Sequence, residues 1–252
     1  MDKNRRKQEK IKKKWINELQ IKEFSPIHII QIPQKAEIAW NCVQKYWEIL
    51  LDKDVGERVI THELGHLYFP KKVNDLRLLP KLAKPEKKKN LNKAMHKLIN
   101  PLVDNFVDYY LLDIDNYYNL WVKEKREILE YGTYLCDFKA FYQRIGDFMC
   151  EYLNCLYILK DDNKNQLHSK IEHWLAQIEK SILVISNFNE VNLEFLKNKL
   201  DQFKELRTIR DSERILLFFY EIITEIGKIF DYKYWDKNMI IKQFDIIFNF
   251  QP

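Results

Sequence analysis

Apolar residues recur at three- and four-residue spacing through most of this chain, a pattern that predicts helices. The clearest stripe is Leu193, Leu196, Leu200 and Phe203, within a predicted helix over residues 191–206. The same spacing predicts helices over 121–131, 140–159, 167–185 and 214–230. Leu102, Val103, Phe106, Val107, Tyr110 and Leu111 mark another. Ala36, Ala39, Trp40, Val43, Trp47 and Leu50 fit the helical period too, and an amphipathic helix is expected over 36–51. Residues 15–23 continue a helix begun in the charged start of the chain. The exception is 26–33, a short apolar run bounded by Pro26 and Pro33, which reads as a strand. The fold class expected is mainly α, α+β at most, with a small β element and a helical C-terminal region.

Polar residues punctuate this pattern. Asp54 and Glu57 have the spacing of a capping box, so a helix should start near Val55, and Pro70 should end it near Phe69. Residues 71–93 carry Pro80, Pro85 and the run Glu86-Lys87-Lys88-Lys89-Asn90, which predicts an exposed segment, either a flap over a cleft or a connector. A polar break at 160–166 separates two helices, and the aromatic tail through Phe250 is expected to pack back on the body. The organisation expected is a basic arm (1–14), a domain over 15–130 and a helical region over 131–252.

Composition narrows the class. Of 252 residues 46% are hydrophobic and 14% aromatic, with only 5 glycines, so the chain has ample material for a core. No apolar run approaches the roughly 18 residues of a membrane span. The first fourteen residues are charged and no apolar signal core follows, so a cytoplasmic protein is expected. Cys42, Cys136, Cys150 and Cys155 lack paired spacing and read as reduced thiols, neither a disulfide frame nor a metal site. The net charge of +5 is concentrated in Lys3, Arg5, Arg6, Lys7, Lys10, Lys12, Lys13 and Lys14. No aromatic interleaves these before Trp15, so a solvated, frayed helix start is preferred over a nucleic-acid contact.

The candidate chemistry lies in Thr61-His62-Glu63-Leu64-Gly65-His66-Leu67, an HExxH sequence inside an apolar helical run. Residues four apart on a helix share a face, so the two imidazoles can grip one metal ion. Glu63 stands beside them, placed to hold a water and take its proton. Gly65 costs about 1 kcal/mol in a helix interior, which implies close approach of another segment. A second constellation follows. Asn100, Asp104 and Asp108 are four apart and share one face of an otherwise apolar helix. A zinc held by two histidines needs a third ligand and a partner that orients the imidazoles, and this face can supply both. His28, His168 and His173 read as ordinary core or surface residues.

The HExxH run with its uncharged flanks resembles the zincin metallopeptidases. The pairing of HELGH with Asn100-x-x-x-Asp104-x-x-x-Asp108 resembles predicted archaeal and bacterial metallopeptidase domains, some associated with von Willebrand A modules. It is also similar to the gluzincin pattern, with Asp104 replacing the glutamate that binds zinc. The resemblance covers about 56–112, less than half the chain, and the 38 positions from His66 to Asp104 exceed the gap in compact zincins. The metzincin pattern, with its third histidine, is absent. The resemblance implies a zinc site of His62, His66 and Asp104, with Glu63 as general base. Asp108 would fix a histidine tautomer, and Asn100 would help behind it. Whether Asp104 or Asp108 is the third ligand stays open. Tyr109, Tyr110 and His96 are candidates for stabilising an oxyanion. The function expected is zinc-dependent hydrolysis of peptide bonds, with a peptide or protein substrate and a possible protein partner on the helical region. The alternatives are a helical interaction protein with a structural or degenerate zinc site, and a nucleic-acid-associated regulatory protease.

Overall fold

The computed structural model describes residues 3–41, 43–73, 90–131, 141–160, 168–185, 187–206 and 212–229. The protein is mainly helical, with one small three-stranded sheet. Helix α1 (Lys3–Glu18) leads through a 3-10 turn (Lys22–Phe24) to strand β1 (Ile27–Gln31), which matches the strand expected between the two prolines. Strands β2 (Ala36–Asn41) and β3 (Tyr46–Leu51) follow, and the sheet order is β1-β3-β2. The central strand β3 runs parallel to β1 and antiparallel to β2, with Ile29 and Ile38 both opposite Ile49.

The helix expected over 36–51 is therefore incorrect. Asn41 breaks it: its side-chain oxygen accepts the N–H groups of Val43 and Gln44 at 3.1 and 2.9 Å, and its carbonyl accepts that of Lys45 at 2.7 Å. Lys45 sits at φ 55° to complete the reversal. The helical stripe was a coincidence of spacing. Val43, one of its members, is 86% exposed, while Ile38 and Ile49, which lie off it, are buried. Along β3 the buried residues Trp47, Ile49 and Leu51 alternate with partly exposed ones, the period of a strand.

The basic N-terminus is docked rather than frayed. Trp15 and Gln8 are buried, and the Gln8 amide donates to the carbonyls of Asp52 and Lys53 at 3.0 and 3.3 Å. Lys12 donates to the Ile27 carbonyl at 2.6 Å. The helix stops at Glu18 instead of running to Glu23, and Gln20 turns away at φ 54°.

Helix α2 (Glu57–Val73) carries the HExxH residues. The expected capping box does not form, because Glu57 is recruited by α1 and accepts from Lys14 Nζ and Trp15 Nε1, both at 2.8 Å. Nor does Pro70 end the helix, which continues to Val73. Proline's fixed φ is compatible with a helix, and the structure tolerates the one missing backbone bond. Helix α3 (Asn90–Leu112) likewise contains Pro101 and crosses α2. Most of the segment expected to be a flap, together with the C-terminal tail, Cys42 and Cys136, lies outside the described residues.

The remaining helices are α4 (Asp115–Tyr131), α5 (Phe141–Leu159), α6 (His168–Leu183), α7 (Glu190–Leu206) and α8 (Ser212–Ile229), close to the bounds read from periodicity. Helix α3 is the central one: it packs on α2, α4, α5 and α8. Its Phe106 meets Phe203 of α7 at a ring separation of 4.7 Å, and Phe203 meets Phe218 of α8 at 4.9 Å. No helix among the described residues is long and apolar enough to cross a membrane. Cys155 is buried and Cys150 partly so, where its sulfur accepts from the Asn154 amide at 3.8 Å.

Candidate metal centre

Ile60, Leu64 and Leu67 are fully buried on one face of α2 and fix its rotation, which turns His62, Glu63 and His66 toward α3 and β2. On α3, Leu98, Leu102, Phe106 and Leu111 do the same for Asp104 and Asp108. The two helices approach at Gly65. A methyl group there would lie 2.5 Å from Val107 Cγ1 and 2.7 Å from Leu111 Cδ1, closer than packed atoms allow. The close approach expected from this glycine is thus present.

Four of the residues singled out in the sequence meet at this crossing. The Nε2 atoms of His62 and His66 lie 3.7 and 3.5 Å from Asp104 Oδ1, and the three residues each offer one ligand atom within 4.8 Å of the others. An ion held tetrahedrally at about 2.0–2.2 Å keeps its ligand atoms roughly 3.4 Å apart, so two imidazole nitrogens 3.5 and 3.7 Å from one carboxylate oxygen could hold a small divalent ion. Among the described residues this is the one group of three such side chains.

Asp108 is placed differently. Its Oδ1 accepts from His62 Nδ1 at 2.8 Å, which directs the opposite nitrogen of that ring, Nε2, toward Asp104. His66 Nδ1 is buried without a hydrogen-bond partner among the described residues. Among the described residues, the Nδ1 side of one ring is oriented by a carboxylate and that of the other by packing. Asn100 lies on α3, but its side chain is outside the described residues, as is that of His96. Tyr109 stacks edge-on against Tyr110 and Tyr157, each at 5.3 Å.

Glu63 is buried against β2, where its carboxyl accepts the Ile38 backbone N–H. Burial pushes its pKa up to about 7, with His62 pulling the other way. Burial lowers His66 to about 4, and the neighbouring His62 adds to that. For His62 burial also acts to lower the pKa, but the Asp108 and Asp104 carboxylates outweigh it and raise it well above the usual value. Burial would raise Asp108, yet His62, Arg58 and Tyr117 hold it at about 2.

Periodicity did not single out the groups behind Asp108. The Tyr117 hydroxyl on α4 donates to Asp108 Oδ1 at 2.6 Å, and the Asn154 amide on α5 donates to Oδ2 at 3.4 Å. Asn105 on α3 donates to Asn154 Oδ1 at 2.8 Å. Arg58, on the first turn of α2, pairs with Glu124 at 2.6 Å and also hydrogen-bonds Tyr117. A buried asparagine pair at Asn105 and Asn154 inside apolar helical stripes was the available signal.

No protein-family model matches this chain, nor does any curated protein or solved structure.

Proposed function

We propose that this protein is a zinc-dependent peptidase of the cytoplasm, with His62, His66 and Asp104 as the metal ligands and Glu63 as the general base. The observation that carries this reading is the convergence of two imidazole nitrogens on one carboxylate oxygen at 3.5 and 3.7 Å, too long for hydrogen bonds of ordinary strength and suited to a shared ion. When bound, zinc supplies Lewis acidity, which makes a water acidic near neutral pH and polarises a carbonyl.

The chain's own residues supply the rest. Asp108 holds His62 in the tautomer whose Nε2 lone pair is free. Glu63, beside His62 and held by the Ile38 N–H, takes a proton from water and passes it to the leaving amine. A purely structural zinc site has no use for such a base. The sequence resemblance to HELGH metallopeptidases supports a peptide substrate.

Two measurements test this. Elemental analysis of the full chain purified without added metal should find about one zinc per chain, lost in Asp104→Ala. Incubation with a library of unstructured peptides should give cleavage products that disappear in Glu63→Gln while the zinc stays bound. Absence of zinc after supplementation sinks the metal assignment; zinc binding with cleavage unaffected by Glu63→Gln sinks the catalytic one.

A further inference from the structure

The buried polar groups behind Asp108 span four helices and end at a histidine facing the candidate metal centre. We propose that Tyr117 and Asn154 are positioning residues for that centre: they engage the two oxygens of Asp108, and through Asp108 they hold the His62 ring with Nε2 facing Asp104. This inference rests on the metal reading above and extends it to residues outside the two motif helices.

The direction of every bond in the chain is determined. Arg58 can only donate, so its contact with Tyr117 occupies the hydroxyl oxygen and leaves the hydroxyl hydrogen for Asp108 Oδ1. Asn105 donates to the Asn154 oxygen at 2.8 Å, so the Asn154 nitrogen must face the other way, toward Asp108 Oδ2. A carboxylate engaged in this way by donors on α4 and α5 is held with Oδ1 toward His62 Nδ1. Tyr117 is 0% exposed, Asn105 0%, Asn154 2% and Asp108 4%. Burying this many polar groups costs stability unless each is satisfied. A core built for stability alone would be better filled with apolar side chains. The network turns instead toward one ring nitrogen.

Metal affinity in Tyr117→Phe and Asn154→Ala tests the proposal, measured on the full chain by competition for zinc with a chromogenic chelator. Outer partners of metal-bound histidines change affinity by about 10- to 100-fold. A weakening of at least fivefold is expected in Tyr117→Phe and a smaller one in Asn154→Ala. Ile158→Val, a core change on the same α5 helix, should leave affinity within twofold of wild type. The second readout is solvent exchange of the His62 Nδ1–H proton in metal-free protein, the proton that bonds Asp108 whether or not Nε2 is also protonated. Wild type should show it exchanging slowly with water, and Tyr117→Phe should speed that exchange. Wild-type zinc binding with both variants within twofold of it overturns the proposal. If wild type takes up no zinc, the metal reading fails, and the His62 Nδ1–H signal alone decides: exchange unchanged in both variants overturns the positioning role, faster exchange supports it.

Discussion

Asp104 and Asp108 are chemically identical, one turn apart on α3, and both face His62, yet they occupy opposite sides of the site. The Asp108 side chain is 6% exposed and engaged by His62, Tyr117 and Asn154. The Asp104 side chain is 38% exposed and lies 3.5–3.7 Å from both histidines. A carboxylate that is saturated with donors positions its neighbour; one that opens to solvent, beside two nitrogen atoms, is free to accept a cation. The spacing on the helix is the same, and what the rest of the chain brings to each position differs.

Substitution of the two should give crossed effects. Asp108→Ala leaves His62 buried without its counter-charge and should destabilise the metal-free protein by about 3–5 kcal/mol in urea unfolding. Asp104→Ala should cost less than about 1 kcal/mol in the same experiment, being exposed and more distant. For zinc the order reverses: Asp104→Ala should abolish binding and Asp108→Ala only weaken it. Equal stability losses would break the comparison.

Zinc itself sharpens it. An ion that binds only the folded state adds about 2.7 kcal/mol at a free concentration 100 times its Kd, and thermal unfolding should register that in wild type and not in Asp104→Ala. Gly65→Ala acts on both carboxylates at once, since the methyl must push against Val107 and Leu111 on the helix that carries them. A loss of about 2 kcal/mol is expected, with zinc affinity reduced as well; unchanged affinity would mean the site tolerates a shift of α3.

The smallest effect is a control whose side chain bonds α1 instead of either acid. Glu57→Gln removes the charge that Lys14 and Trp15 share and should cost about 1 kcal/mol at neutral pH. Burial acts to raise the Glu57 pKa, but those two hydrogen bonds prevail and lower it below its ordinary 4.5, so its contribution is full above about pH 4.5 and is lost as pH falls through the lowered value. The difference between Glu57→Gln and wild type in chemical unfolding should therefore shrink at low pH, while their zinc affinities stay equal.

Much of the helical body was legible in the sequence because periodicity survives burial on one face. Leu193, Leu196, Leu200 and Phe203 are all buried, as their spacing implies. The segment 36–51 was misread for a physical reason: six-residue strands are too short for alternation to outweigh a chance match to the helical period, and the turn at Asn41 depends on side-chain bonds that spacing does not reveal. Pro70 and Pro101 show the converse, since local breakers yield where packing favours the helix.

The sequence by itself determined which residues share a face: His62 with His66 on one helix, Asp104 with Asp108 on another, because the helical repeat is local and needs no partner. It also marked Gly65 as a crossing point. Only the tertiary structure decided that the two faces meet, that β2 and β3 are strands, and that α1 docks. It alone brought Arg58, Tyr117, Asn105 and Asn154 to the site. Those four lie on α2, α4, α3 and α5, and the hydrogen bonds Asn105–Asn154 and Arg58–Tyr117 span 49 and 59 positions of sequence. No local pattern encodes such bonds; they exist because helix packing brings the donors and acceptors together, out of water, at one crossing.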